Sequence, residues 1–227
     1  MTTRSLTTAV RDALEAAADP AKAEPMAAYM KYRGVFLGVQ KPLRVPIIRM
    51  MKREFRPADR AQWRAGVEAL WKGGYREQRY LAIEYAGLWP EFRTAAEAPL
   101  YERLAREGAW WDLVDLVMGV LVSPAMLAER EAMRKHTDRW IEDSDFWLRR
   151  LALLSQIKHK HETDEAMLFD YCLRQAGEEE FFIRKAIGWA LRDYSWTNPR
   201  AVRRLLQENE GRFSALTVRE ASKRLTA

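Results

Sequence analysis

The sequence contains little that points to disulfide or metal chemistry, with one cysteine and three histidines among 227 residues. Cys172 cannot form an intrachain disulfide, and its aromatic and aliphatic neighbours indicate burial in a core rather than catalysis. His159 and His161 are two residues apart and diverge on a helix, so they do not form a metal-ligand set. We therefore expect no disulfide, no metal ion and no cofactor.

Glycine, proline and long apolar runs are also scarce. The chain has 11 glycines and 9 prolines, which is typical of a mostly helical soluble protein with short connections. No stretch reaches the roughly 20 apolar residues that a membrane-spanning helix requires. Residues 1–14 include Asp12 and lack the apolar run of a signal peptide. These absences predict a cytoplasmic protein that has no membrane partner.

Hydrophobic residues, tryptophan and positive charge are abundant. The hydrophobic fraction of 48% is ample for a core, and nine tryptophans exceed what packing alone requires, so we expect some to contact a ligand. The formal net charge of +6 favours a phosphate-bearing partner or an anionic membrane surface. Many soluble proteins carry a small positive excess, so the charge alone makes nucleic acid favoured and no more.

Apolar residues recur with helical spacing along almost the whole chain, and the alternation typical of a β-strand never persists. Pro20 and Pro25 predict the end of a first helix that covers about residues 6–18. Pro42 and Pro46 predict a loop. The pattern therefore indicates an all-α protein in which prolines mark several helix boundaries.

Other helix boundaries are predicted by a proline and by capping residues. Pro124 predicts that the preceding helix ends near residue 122. Three helix starts carry N-cap signals. These are Ser144 or Asp145 before Phe146, Asn198 before Pro199, and Thr217 with Glu220 three residues later.

Aromatic and basic positions recur with a period of about 35 residues. Trp111 and Trp147 are 36 residues apart, and the segment that begins at Trp147 resembles the one that begins at Phe182, 35 residues later. A period of this length predicts a HEAT-like helical-repeat solenoid of stacked antiparallel helix pairs with a concave face, as one domain over residues 1–227. The alternative is that unrelated helices of similar length imitate a period.

Two helical stripes combine tryptophan with charge. Trp111 and Asp115 are four residues apart, and Lys185, Trp189 and Arg192 are spaced i, i+4 and i+7. Such stripes are unsuited to a dry core and fit a surface that binds an anionic ligand with flat faces, such as nucleic acid.

A further basic stripe is predicted from Arg150 and Lys158, which are eight residues apart. Together with Lys185 and Arg192, these cations are expected to contact phosphates, which fixes the protein on a nucleic acid without reading its sequence.

The chain resembles the AlkD family of DNA alkylation-repair glycosylases over nearly its whole length. The resemblance is carried by four segments in order along the chain, the first of which is Trp-Trp-Asp-Leu-Val-Asp. The segments are residues 110–115, 146–160, 180–199 and, more weakly, 29–40. Four ordered motifs are more specific than any one of them alone.

This resemblance implies a function and a set of site residues. It implies a HEAT-like fold that cups duplex DNA, a monofunctional glycosylase, and excision of cationic N3- or N7-alkylated purines without base flipping. A monomer is expected because a solenoid with capped ends can stand alone. The family's paired tryptophans and aspartate fall on Trp111, Trp189 and Asp115, and its conserved arginine falls on Arg150.

Three further residues are expected at the DNA interface. Tyr29 and Gln40 belong to the weaker segment and are expected near the lesion. Phe182 belongs to the third segment, although Phe181 and Phe182 cannot both face one way, so at least one of them is expected in the core.

The expected chemistry needs one carboxylate and no general acid for the base. An alkylated purine already carries positive charge and leaves as a neutral base, so positive charge develops on the deoxyribose. Asp115 is expected to stabilise this oxocarbenium-like state and to orient or deprotonate the attacking water. Trp111 and Trp189 are expected to flank the sugar with their ring faces.

Two other functions stay open at the level of sequence. One is a non-catalytic binder of distorted or branched DNA on the same scaffold, and the other is a helical-repeat scaffold for another protein. Without the resemblance, Asp115 would be read as a solvated or capping aspartate and the two tryptophans as core residues. The preferred alkyl adduct is not indicated by the sequence.

Overall fold

The structure is a computed structural model, and it describes residues 5–225. These residues form helices and short connections, and their only β-type pairing is an isolated parallel bridge between Val35 and Tyr75. The all-α prediction is therefore confirmed. The chain divides into two compact units, Met1–Arg93 and Thr94–Ala227. The assignment of residues 1–227 to one domain stays a prediction.

The first unit contains five α-helices and a short 3₁₀ turn among its described residues. The helices are α1 (Leu6–Ala16), α2 (Pro20–Tyr29), α3 (Lys41–Glu54), α4 (Arg60–Trp71) and α5 (Arg76–Gly87), followed by the turn Pro90–Phe92. Helices α4 and α5 pack closely together, and Trp63, Val67 and Leu70 of α4 are fully buried. Gly73 and Gly74 lie in the turn between these two helices.

The second unit contains the remaining α-helices, and a π-helical segment joins two of them. In order, these elements are α6 (Ala98–Gly108), α7 (Trp111–Val117), the π segment (Met118–Val122), α8 (Ser123–Ala128), α9 (Arg130–Trp140), α10 (Phe146–Leu154), α11 (Glu165–Arg174), α12 (Phe181–Tyr194), α13 (Pro199–Glu208) and α14 (Ala215–Ala221). Short 3₁₀ turns precede α6 and α11 and follow α14.

The first helix predicted over about residues 6–18 is confirmed as α1, which ends at Ala16 before Pro20, but the loop predicted at Pro42 and Pro46 is wrong. Pro20 begins α2, where the side chain of Asp19 caps the backbone N–H of Ala21, and Pro25 lies inside the same helix. Pro42 and Pro46 both lie inside α3. A proline in the first turn of a helix replaces an N–H group that has no intrahelical partner, so it starts a helix as readily as it ends one.

Two of the three predicted caps are confirmed. Asp145 caps α10 by accepting a hydrogen bond from the N–H of Trp147, and Asn198 caps α13 before Pro199. The capping box at Thr217 and Glu220 is wrong, because Ser214 is the N-cap of α14 and accepts from the N–H of Thr217.

The period of about 35 residues is confirmed by hydrogen bonds between successive repeats. Tyr171 donates to Thr137, 34 residues earlier, and Gln175 donates to the carbonyl of Ile141, also 34 residues earlier. Four helices separated by this period, α7, α10, α12 and α14, form a row in which each packs against the next. Side chains that point from one member of this row to the next therefore meet.

Pro124 does not follow the end of a helix, although the sequence predicted that the preceding helix ends near residue 122. The helix continues past Pro124 by widening into the π segment, where the N–H of Ser123 bonds the carbonyl of Met118 five residues back. Widening accommodates a proline ring that would otherwise clash with the carbonyl of the preceding turn.

The whole run Trp111–Ala128 is apolar enough, with a mean hydropathy of 1.6, to pass as a membrane-spanning helix by length and composition. Half of this run is buried inside the protein, and α7 packs against α6 and α10. This burial is typical of a core helix.

The weaker segment of the resemblance, residues 29–40, surrounds a buried carboxylate in the first unit. Glu77 is fully buried and accepts hydrogen bonds of 3.0 to 3.2 Å from the N–H groups of Leu37, Gly38 and Val39. Gly38 has φ of +82°, and a Cβ atom there would lie 2.1 Å from the carbonyl oxygen of Asp19. The glycine is therefore required by the fold of this loop.

Candidate active site

Asp115 on α7 and Arg150 on α10 form a bidentate ion pair. Arg150 Nε donates to Asp115 Oδ1 at 2.7 Å, and Arg150 Nη2 donates to Asp115 Oδ2 at 2.9 Å. The Arg150 side chain is 6% exposed and that of Asp115 is 19% exposed. The two residues are 35 positions apart, so one repeat of the fold brings them together.

Arg150 also contacts α12. Its Nη1 donates to the carbonyl oxygen of Phe182 at 2.6 Å, and its guanidinium lies 5.9 Å from the ring centroids of both Phe182 and Trp189. The prediction that Arg150 lies on an exposed stripe is wrong, because the side chain is buried and three of its five N–H donors bond inside the protein. Its contact with phosphate stays a prediction. Arg150 fixes Asp115 and Trp189 relative to each other.

Phe182 lies in an aromatic cluster behind this ion pair. Its ring centroid is 4.9 Å from that of Trp147, 5.5 Å from that of Trp110 and 5.4 Å from that of Phe181. Phe182 is half-buried, whereas Phe181 is 54% exposed. Neither ring belongs to the buried core, so the expectation that at least one of them is a core residue is wrong, although Phe182 is the less accessible of the two.

Asp115 and Trp189 line one cavity of about 330 Å³ beside the ion pair. Lys158 lines the same cavity, so the structure brings together three of the predicted site residues. Its lining consists of Asp115, Met118, Gly119, Ser123, Pro124, Leu127, Ile157, Lys158, His159 and Trp189. Trp111 is half-buried one turn before Asp115 on α7 and is not part of this lining.

Lys158 does not continue the stripe of Arg150, which corrects the prediction. Helix α10 ends at Leu154, and Lys158 follows in a left-handed conformation with φ of +67°. Its backbone N–H donates to Asp193 of α12 at 2.8 Å, while its side chain is exposed. A left-handed backbone at a residue other than glycine is costly, so the surrounding hydrogen bonds must hold it.

Ser123 and His159 hold the other side of this loop. Ser123 Oγ donates to the carbonyl of Ile157 at 2.8 Å, and His159 Nε2 lies 2.9 Å from the carbonyl oxygen of Ser123. Because a carbonyl only accepts, Nε2 carries a proton, as it does in the neutral Nε2–H tautomer. Burial lowers the pKa of His159, which favours the same neutral form.

Lys185 and Arg192 converge with Lys223 on one carboxylate, Glu220 of α14. The distances from their nitrogens to the Glu220 oxygens are 2.9, 2.9 and 2.8 Å, respectively. Glu220 is 7% exposed, whereas the three cations are 30% to 48% exposed. Lys185 and Arg192 therefore share a face of α12, as predicted, but that face packs against α14. The cluster keeps a net positive charge because one carboxylate faces three cations.

Tyr29 and Gln40 belong to the first unit. Tyr29 is the last residue of α2 and is 69% exposed, and Gln40 is exposed at the N-cap position of α3. Among residues 5–225, no group of three His, Cys, Asp or Glu side chains is placed to hold a metal ion.

The chemical capacity of the site comes from the orientation of Asp115. Each of its oxygens accepts one hydrogen bond from Arg150 and retains a second acceptor site. The carboxylate thus presents fixed negative charge beside an indole and an apolar cavity wall, where electrostatic effects are stronger than in water.

Comparison with known proteins decides the family. The sequence model of a family described as "DNA alkylation repair enzyme" matches residues 10–225. The chain belongs to this family. No curated protein matches the sequence.

A solved structure described as a predicted DNA alkylation repair enzyme from Enterococcus faecalis is similar over nearly the whole chain. The TM-score is 0.82 at 30% sequence identity, and the match covers 92% of this chain and 97% of that chain. The helical-repeat fold is therefore shared with a second DNA alkylation repair protein.

Sequence reasoning about this DNA alkylation repair enzyme missed several residues around the site. Ser123, His159 and Asp193 hold the loop that presents Lys158, and Glu220 gathers the cations of α12. The 35-residue period was a usable signal for Asp193, because Lys158 and Asp193 are 35 residues apart. The local capping-box pattern gave Glu220 a different role and no cationic partners. Its neighbour Gly188 leaves room for it, since a Cβ on that glycine would lie 2.5 Å from Glu220 Cβ.

We expect the substitution Glu220→Gln to destabilise the protein at neutral pH but not in strong acid. The hydrogen bond from Lys223, and then that from Lys185, lowers the pKa of Glu220 from 4.5 to about 2. The contribution of the Glu220 carboxylate to the free energy of unfolding is therefore complete above pH 4.5 and is lost as the pH falls through about 2. Because the cations are partly exposed, the loss at pH 7 should be on the order of 1 kcal/mol.

Urea unfolding from pH 7 down to pH 2 measures this difference. Glu208→Gln on the exposed side of α13 is the matched control, because it makes the same charge change outside the cluster. A loss for Glu220→Gln that persists undiminished at pH 2 would show that the ion pairs do not cause it.

Proposed function

We propose that this member of the family is a DNA glycosylase that hydrolyses the N-glycosidic bond of cationic N3- or N7-alkylated purines in duplex DNA, as in the AlkD family that its motifs resemble. The observation that carries the proposal is the Asp115 carboxylate, which Arg150 orients at the wall of a cavity shared with Trp189. A structural aspartate would need neither this cavity nor an indole beside it.

The reaction requires stabilisation of a sugar cation and delivery of a water. The bond between the damaged purine and C1′ breaks, its electron pair leaves with the base, and the base departs neutral. Positive charge develops on the deoxyribose, where the fixed charge of Asp115 lowers the barrier. A water bonded to the second acceptor site of an Asp115 oxygen then attacks C1′ and gives its proton to the carboxylate.

Arg150 has a positioning role in this proposal. The ion pair reduces the net negative charge that the site presents to the sugar. The bidentate contact also removes rotational freedom from the carboxylate. Because the carboxylate is already oriented, less reorganisation of the site is needed during the reaction. Trp189, which lies against the guanidinium, is held in place by the same residue.

Binding to the duplex is proposed to use exposed cations rather than base contacts. Lys158 is exposed beside the cavity, and the cluster of Lys185, Arg192 and Lys223 is partly exposed with a net positive charge. Contacts of this kind attach to phosphates and carry no sequence information. Excision with the base still stacked in the duplex, and a concave DNA-binding face, are further parts of the proposal that rest on the family resemblance.

The test is release of free base from duplex DNA that contains N7-methylguanine or N3-methyladenine. We expect the purified protein to release base well above the spontaneous rate and to bind DNA with an affinity that falls steeply with salt. Salt-dependent binding without release would favour a non-catalytic binder of distorted DNA. Absence of both would favour a scaffold for another protein.

A further inference from the structure

Gly119 lies in the π segment one turn after Asp115, and no folding requirement explains it. The residue is exposed and lines the cavity, and a Cβ atom placed there would meet no other atom within 4 Å. Its φ is outside the left-handed region, unlike that of Gly38. Gly188 is different again, because it is needed for the close approach of Glu220.

A glycine in a helical segment lowers stability relative to alanine, since it gains more freedom on unfolding and buries no side chain. At position 119, alanine or a larger residue would fit the backbone and the available space. Gly177 has the same freedom, so what distinguishes Gly119 is its place in the lining of the cavity that holds Asp115.

The π segment places Gly119 in the wall of the cavity that Asp115 lines. Trp111, Asp115 and Gly119 have helical spacing i, i+4 and i+8, so the glycine continues the stripe that carries the proposed catalytic carboxylate. The wider turn brings both Met118 and Gly119 into the wall of the cavity. Asp115, Gly119 and Leu127 line the same cavity, so a side chain at position 119 would take up part of the open space at its wall.

We propose that Gly119 keeps the cavity open for the deoxyribose and phosphate of the damaged nucleotide. This inference rests on the proposed glycosylase function. The lining matches the chemistry of a sugar–phosphate unit: Asp115 faces the carbon that becomes cationic, the indole of Trp189 offers an apolar surface to the sugar ring, and the exposed ammonium of Lys158 pairs with the phosphate. The volume of about 330 Å³ lies at the lower end of the range for ligand sites.

The test compares Gly119→Ala and Gly119→Leu with the matched control Gly177→Leu. Gly177 is also exposed, with no atom within 4 Å of an added Cβ, and it lies in the turn after α11 away from this cavity.

We expect Gly119→Leu to lower kcat/KM for base release by about 10- to 100-fold, because the sugar is displaced from Asp115. The melting temperature should stay unchanged or rise, since leucine favours a helix. Gly119→Ala should have a small effect, and Gly177→Leu should have none.

Binding to duplex DNA that contains a tetrahydrofuran abasic analogue identifies the occupant. The analogue has the sugar and phosphates but no base, so Gly119→Leu should weaken its binding about as much as it weakens catalysis. Unchanged binding of the analogue, together with lost base release, would assign the cavity to the base and overturn the sugar–phosphate assignment.

The outcomes separate this inference from the function on which it rests. Wild-type protein that releases no base would overturn the glycosylase function and the inference with it. Active wild-type protein and an equally active Gly119→Leu variant would overturn the inference alone.

Discussion

Replacing Asp115 with asparagine is expected to reduce the rate of base release by about 100- to 1,000-fold. The amide has nearly the shape of the carboxylate but carries no negative charge, so it can neither stabilise the sugar cation nor accept a proton from water. Single-turnover release of N7-methylguanine measures the effect. Because these substrates also decompose spontaneously, the uncatalysed rate is subtracted.

Asp112→Asn is the matched control for this substitution. Asp112 lies on the same helix, three residues before Asp115, and the substitution makes the same charge change outside the cavity. We expect this variant to release base at the wild-type rate. An Asp115→Asn variant that remains as active as Asp112→Asn would remove Asp115 from the chemistry.

Removing Arg150 is expected to have the largest effect on stability. The substitution Arg150→Leu leaves the Asp115 carboxylate, of which only 19% is exposed, without its partner. Breaking a buried ion pair on one side costs about 3–5 kcal/mol, and the free energy of unfolding in urea measures the loss. Base release should also fall, since the carboxylate loses its fixed orientation.

Two further variants separate the charge of Arg150 from its geometry. Arg150→Lys keeps the positive charge but cannot donate through the planar fork, so we expect stability and activity between those of wild type and Arg150→Leu. The double variant Asp115→Asn with Arg150→Leu removes both charges and should be less destabilised than the sum of the two single variants. Additive losses would show that the two residues do not act as a pair.

The helical architecture followed from signals that act over a few neighbouring residues. Apolar spacing predicted helices, and the caps at Asp145 and Asn198 were found because an N-cap side chain bonds a backbone group two or three residues away. Proline was a weaker guide, because its effect depends on its position within the helix. Pro20 starts α2, and Pro124 is accommodated by a wider turn.

The motifs also predicted several residues that lie close together in the structure, since Asp115, Trp189 and Lys158 line one cavity. Their catalytic and DNA-binding roles stay predictions. Sequence reasoning gave Arg150 and Lys158 the same role on one helical stripe. In the structure, Arg150 is buried against Asp115, and Lys158 lies beyond the helix on a loop held by Asp193.

The sequence by itself therefore determined the helices, the repeat of about 35 residues and the family motifs, because each depends on local spacing or on recurrence along the chain. Only the tertiary structure decided the partner of Asp115, the path of the loop that carries Lys158, and the use of Glu220 by three cations. Most of these contacts join segments that are about one repeat apart in sequence and adjacent in space, whereas Lys223 lies three residues after Glu220. Their geometry depends on how the helices pack, which no spacing within a single helix encodes.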